Sequence, residues 1–193
     1  MYCGPPNCFV IISDVLSPPF NQYGTLTHAA IASLVKWKDI ATCFLVISAS
    51  GLDAFITKKD ISGDEIWFEV YGGVNPEQIW DVLETTDNGY LILGSTESYG
   101  SSYTNIFLAK VNQDGTEEWI NNYGGAGHDE GRSIIRGSDG NYYIIGSTTS
   151  FGFGESDVWL LIVDQEGNQI SDYTYGDNLN NYGVDLIESF DSG

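Results

Sequence analysis

The stretch NIFLAKVNQDGTEEWINNYGG (105–125) decides the fold, because the chain writes it three times. Set between DAFITKKDISGDEIWFEVYGG (53–73) and DVWLLIVDQEGNQISDYTYGD (157–177), it falls into register at a spacing of 52 residues on both sides. Gly63, Gly115 and Gly167 align, as do Asp60, Asn112 and Asp164, and Tyr71, Tyr123 and Tyr175. Trp67 matches Trp119, while the third copy has Ser171.

The downstream halves keep the spacing, with TTDNGYLILGST (85–96) over GSDGNYYIIGST (137–148), and ESFDSG (188–193) begins the segment again. The chain therefore divides into residues 53–104, 105–156 and 157–193 as successive repeat units, the last truncated. Residues 1–52 read as diverged partial blades or as unrelated leader sequence. YGTLTHAAIASLV (23–35) lies over YGGAGHDEGRSII (123–135), matching Tyr23, His28 and Ser33 to Tyr123, His128 and Ser133.

Each unit carries four short strand-like runs, which in the second regular copy fall at about 132–138, 141–148, 157–163 and 169–175, bounded by Gly, Asp, Asn or Ser. SDG and D-x-x-G are tight-turn signals, so two hairpins make one unit. GYLILG, YYIIG and VWLLIV are apolar on both faces, which predicts sheets with neighbours on both sides. Repeated four-stranded antiparallel sheets packed face to face describe an all-β β-propeller. The strand count gives about three full blades plus partial ones, an open arc or a fragment of a propeller of roughly six to eight blades. Self-association is the other way to close such an arc.

The pattern DAFITKKDISG, the YGG followed by acids, and SDGNYYIIGSTTS resembles the SBBP β-propeller repeat family of prokaryotic secreted and surface proteins. The resemblance covers residues 53–193 well and 1–52 poorly. It implies a propeller fold and a secreted or cell-surface location, and it says little about activity.

Composition narrows the partners. The formal charge of −20, from 27 acids against 7 bases, repels phosphate backbones and anionic lipid over about 8 Å at physiological salt. Nucleic-acid partners are not expected. No run approaches the roughly 18 apolar residues of a membrane span, and MYCGPPNC lacks the basic start of a signal peptide. Cys3, Cys8 and Cys43 cannot all pair within one chain and lack the fourth ligand of a structural zinc site, so they read as free thiols or as one disulfide plus a thiol.

Strand connectivity predicts where function would sit. The link from one blade's outermost strand to the next blade's innermost one spans about three strand spacings, roughly 14 Å. That link and the loop between the second and third strands emerge on one face, which collects residues 71–78, 96–105, 123–131 and 148–157. A protein or glycan ligand would bind there. The candidate residues are His128, Asp129, Glu130, Tyr99, Tyr103, Phe151, Phe153 and Glu155. Rings beside carboxylates suit a sugar, and carboxylates with carbonyls suit calcium; the plainer reading is that the rings pin the loops onto the sheets.

Catalytic motifs are missing. GGAGHDEG is not followed by Lys-Ser or Lys-Thr, no G-x-S-x-G occurs, and NQDGTEE lacks both the calcium-loop spacing and the sialidase Asp-box pattern. The sequence reads as a non-enzymatic interaction scaffold with no required cofactor. The alternatives are a fragment of a glycan-acting hydrolase or lyase, and a calcium-dependent adhesion module.

Overall fold

The computed structural model describes residues 42–47, 54–60, 64–100 and 103–189, the first of these as backbone only. Calls on Cys3, Cys8, His28 and most of residues 1–52 lie outside the described residues, as does the Cys43 side chain. The fold is all-β and antiparallel. Its strands are β1 (Thr42–Ile47), β2 (Ala54–Asp60), β3 (Glu65–Tyr71), β4 (Glu77–Glu84), β5 (Tyr90–Thr96), β6 (Asn105–Val111), β7 (Glu117–Tyr123), β8 (Asp129–Arg136), β9 (Tyr142–Thr148), β10 (Asp157–Val163) and β11 (Gln169–Tyr175). They form three sheets, ordered β1-β2-β3, β4-β5-β6-β7 and β8-β9-β10-β11. Among the described residues no helix is long and apolar enough to cross a membrane.

The chain divides into two compact units, Met1–Ile79 and Trp80–Gly193. In the first, β2 pairs β1 and β3, and Phe55 packs on Phe68 with ring centroids 5.2 Å apart. Ala54, Ile56 and Trp67 are buried, whereas Ile66, Phe68 and Val70 on the opposite side of β3 are exposed.

The second unit shows the repeat as physical structure. The turns after β6 and β10 are alike: Gly115 and Gly167 donate to the carbonyls of Asn112 and Asp164, at 3.1 and 3.2 Å. Both glycines have positive φ, 86° and 81°, which is the reason for glycine there. Asn112 Oδ1 accepts from the amides of Asp114 and Thr116, and Asp164 Oδ1 from those of Glu166 and Asn168. The NQDG segment is thus a turn capped by its own side chain. These donors hold the Asp164 carboxyl below its ordinary range, the Asn168 side chain first among them.

Between the sheets lies one apolar core. Leu91, Leu93, Ile106, Leu108 and Tyr123 from β5, β6 and β7 meet Ile134, Tyr142, Ile144, Trp159, Leu161 and Val163 from β8, β9 and β10. Each such side chain contributes about 1.5–3 kcal/mol on burial. β5 and β6 are buried along their whole length, whereas β10 alternates between buried and half-buried residues. Of the runs expected to be covered on both faces, GYLILG in β5 is buried throughout, whereas YYIIG in β9 and VWLLIV in β10 each have one face partly open.

Polar groups lock the register between sheets. Ser133 Oγ lies 3.1 Å from Asp81 Oδ2 and 3.0 Å from Asp185 Oδ1, and the Ile134 amide donates to Asp81 at 3.0 Å. Positions 81, 133 and 185 are one repeat apart, so the same position of three successive copies meets in a single row. At the other side of the sheets, Tyr123 Oη donates to the Gly167 carbonyl at 2.6 Å and Asn121 Nδ2 to the same oxygen at 3.1 Å.

Lys110 is buried in this interface and donates to Asp87 and Glu118, both at 2.9 Å. Burial favours its neutral form, but the two carboxylates win and its pKa is raised. Asp87 is held well below the carboxylate range, first by the Thr85 hydroxyl and then by Lys110.

Candidate functional site at the long-loop end

In the second unit the tight turns gather at one end of the sheets and the long connections at the other. The loop segments at residues 97–100 with 103–104, 124–128, 149–156 and 176–181 gather here: Asp129 N donates to Thr104 O, Thr149 N to His128 O, and Asn181 N to Ser156 O, at 2.8–2.9 Å. Of the four loops expected on one face, those at 96–105, 123–131 and 148–157 meet here, joined by residues 176–181, while the 71–78 loop lies in the other unit.

Two buried carboxylates hold this end together. Asp129 has no solvent exposure. Its Oδ1 accepts from the Thr148 hydroxyl, and its Oδ2 accepts from Ser150 Oγ at 2.6 Å and Gly125 N at 2.8 Å. One side chain thus ties the 124–128 link to the 149–156 loop. Asp157, also buried, accepts from the Phe153 amide at 2.7 Å. A Cβ on Gly152 would stand 2.3 Å from the Asp157 carboxylate, and its φ is 93°, so the loop can fold over the acid only with glycine there. Asn105 does the same work one repeat earlier, donating to the carbonyls of Tyr99 and Tyr103.

The sequence placed His128, Asp129 and Glu130 together in the link. The structure starts β8 at Asp129, three residues before the expected strand start at 132, and sends the three side chains to different partners. His128 is exposed; its Nδ1 lies 3.1 Å from Thr104 Oγ1, and Tyr103 stands edge-on at 5.1 Å. Asp129 turns inward. Glu130 pairs with Arg132.

The other candidates divide between anchoring and display. Phe151 packs against the core residue Trp159 at 5.3 Å, pinning its loop. Tyr99 and Tyr103 are about half exposed, and Phe153 is 81% exposed. Glu155 accepts from Asn180 Nδ2 at 3.0 Å. Tyr103 and His128 therefore form one group, Phe153 and Glu155 occupy a neighbouring loop, and Glu130 belongs to the sheet.

Sequence reading missed that last group. Arg132 Cζ lies 3.7 Å from the centre of the Trp80 ring, and Trp80 Nε1 donates to Ser95 Oγ at 2.9 Å. Arg132 stands at an irregularity in the β8–β9 register between Gly131 and Ser133. The available signal was that Trp80 and Arg132 occupy the same repeat position.

Chemically, this end offers aromatic faces and amide dipoles on loops whose carboxylates are already occupied. Among the described residues no group of three or more His, Cys, Asp or Glu stands close enough to hold a metal ion.

Comparison with known proteins adds little to this geometry. No protein-family model matches the sequence, and no curated protein matches it. Among solved structures, a protein of unknown function from Bacteroides caccae is similar at 13% identity and a TM-score of 0.46, over 70% of this chain and 43% of that one. The chain thus spans less than half the length of that structural neighbour.

Proposed function

We infer that the chain is a β-propeller segment of the SBBP kind that serves as a non-enzymatic interaction scaffold, with the long-loop end as its contact face. The observation that carries this reading is the division of labour at that end. Asp129, Asp157 and Phe151 are spent on fixing the loops, and Phe153, Tyr99 and Tyr103 are left facing solvent on a braced platform. Rigid aromatic display lowers the ordering cost of binding and suits the face of a sugar ring or an apolar peptide side chain. The four-stranded sheets, the 52-residue register and the row of Asp81, Ser133 and Asp185 support the propeller part of the reading.

The test is binding to immobilised glycans and secreted-protein peptides, with and without calcium, for the native chain and for Phe153→Ala and Tyr103→Ala. Retention that falls in the variants, needs no calcium and leaves the sugars intact supports the scaffold. Release of cleaved sugar would replace it with the hydrolase or lyase reading, and strictly calcium-dependent retention with the adhesion reading. Retention unchanged in both variants would remove the long-loop end from the account.

A further inference from the structure

The tight turns at the end of the sheets away from the long loops share one design. In three of them a glycine at positive φ donates its amide to the carbonyl three positions back: Gly115, Gly140 and Gly167, with φ of 86°, 90° and 81°, over 3.1, 3.0 and 3.2 Å. The residue that opens each turn donates to the carbonyl four positions on, as Asn112 to Thr116, Gly137 to Asn141 and Asp164 to Asn168, all at 2.9 Å. Glycine fills the place because a Cβ is disfavoured in that conformation.

The turn between β4 and β5 departs from the pattern. Its bonds are the same, Asn88 N to Thr85 O at 3.1 Å and Thr85 N to Gly89 O at 2.9 Å, but the residue at positive φ, 66°, is Asn88. Among the described residues it is the only non-glycine with positive φ. TTDNG (85–89) lies over GSDGN (137–141), so the two copies carry the same pair in opposite order. Asn88 is also the one asparagine in the sequence that is followed by glycine.

That order has a chemical consequence. An asparagine carboxamide carbon can close a five-membered ring with the next residue's main-chain nitrogen, and a following residue without a Cβ leaves the approach open. Asn88 is exposed, so ammonia can leave and water can enter. The Gly89 amide donates to a side chain, Asp87 Oδ1 at 3.1 Å, rather than to a strand carbonyl. The Asp87 side chain is 59% exposed, so its movement frees the nitrogen without opening the sheet.

We propose that Asn88 is a site of self-modification, deamidating through a succinimide. Gly89 N bonds to Asn88 Cγ, the bond from Cγ to Nδ2 breaks, and the Gly89 proton, carried by solvent, leaves with that nitrogen as ammonia. Water then adds across either ring carbonyl and opens it, leaving aspartate or isoaspartate at position 88. The isoaspartyl product lengthens the main chain by one carbon in a turn with no slack: a Cβ on Gly89 would stand 2.4 Å from Lys110 Nζ and 2.5 Å from the Val111 carbonyl. Lys110 donates to Asp87 in this same turn and to Glu118 on β7, so the modification loosens the anchor that ties the turn to β6 and β7. It acts at the opposite end of the sheet from the long loops and does not depend on what they bind.

Peptide mapping by mass spectrometry, on the full chain held in warm, mildly alkaline buffer, tests this. The native chain should show the mass change of amide to acid first in the peptide that holds Asn88, as two products that separate on chromatography. Mass identifies the reaction, because Asp114 and Asp139 also precede glycine and can isomerise without changing mass. Asn88→Gly places at this turn the residue that Gly140 supplies in the next copy, so it should fold and lose the conversion. The aged native chain should melt a few degrees below the fresh one, whereas aged and fresh Asn88→Gly should melt together. An Asn88 that stays an amide while another asparagine converts would overturn the proposal. A native chain converted at position 88 that melts like the fresh one would overturn the loosening of the Lys110 anchor.

Discussion

Replacing Tyr123 by Phe removes one oxygen at the seam between two sheets, and the repeat supplies its own control in Tyr175. Tyr123 is 7% exposed and its hydroxyl donates to the Gly167 carbonyl at 2.6 Å, whereas Tyr175 is 55% exposed. Because Asn121 still donates to that carbonyl, Tyr123→Phe strands no acceptor, and the cost at pH 7 should be about 0.5–1.5 kcal/mol. In a chain of 193 residues that lowers the melting temperature by a few degrees, at roughly 2–4 °C per kcal/mol. Tyr175→Phe should cost roughly 0.3 kcal/mol or less.

A pH arm sharpens the test. Burial pushes the Tyr123 phenol up to about 12; its bond with Asn121 works the other way and the charge of Asp164 adds to the rise. A folded pKa above the unfolded value means stability that is complete below about pH 10 and lost as pH rises toward 12, worth about 2–3 kcal/mol at 1.36 kcal/mol per unit. Urea unfolding at pH 7 and pH 11 should show about half of this loss, roughly 1.4 kcal/mol, in the native chain and in Tyr175→Phe, and a smaller loss in Tyr123→Phe. Equal costs for the two substitutions at pH 7, or an alkaline loss that survives in Tyr123→Phe undiminished, would refute the sheet-to-sheet role assigned to Tyr123.

Other substitutions follow from the same interfaces. Asp129→Ala removes the acceptor of three donors in a site without solvent exposure and should cost roughly 3–5 kcal/mol by denaturant unfolding, against about 1 kcal/mol or less for Glu130→Ala. Lys110→Ile should cost about 1 kcal/mol or less, because Asp87 and Glu118 keep access to water and the third copy already has Ile162 there. Gly146→Ala would set a Cβ 1.8 Å from the Glu130 carbonyl, so it should cost roughly 3 kcal/mol or more and weaken amide-exchange protection along β8 and β9. Asp87 has a lowered folded pKa, so its contribution is present above about pH 4 and lost as pH falls through the folded value; Asp87→Asn should flatten the acid limb of the stability curve.

The strands were legible where the apolar runs are uninterrupted. Residues 157–163 and 169–175 are β10 and β11 as read, and β9 starts one residue after the expected 141. β8 was misplaced for a physical reason. Its first residues, Asp129, Glu130, Gly131 and Arg132, have no apolar side chain, and the strand is held there by hydroxyl donors and an irregular register, features that hydrophobic periodicity does not carry. The same reason hid the role of Asp129, whose charge read as a surface feature although it is buried. Repeat comparison contained the missing signal: polar residues stand at matching positions in 77, 129 and 181, and in 53, 105 and 157, each beside apolar strand sequence. Tyr99, Tyr103, Phe151 and Phe153 read alike in the sequence, as rings that either pin the loops or face a ligand, and Phe151 was not separable from the exposed Phe153 until its ring was seen on Trp159.

The propeller proposed above would set the four-stranded sheets of the 52-residue copies around a common axis, with positions 81, 133 and 185 nearest to it. Averaged electron-microscope images of the purified particle test that most directly. The expected result is sheets radiating from a central point when viewed end-on, as an open arc, or as a disc where copies associate. Sheets stacked in a straight row, with no axis, would contradict it.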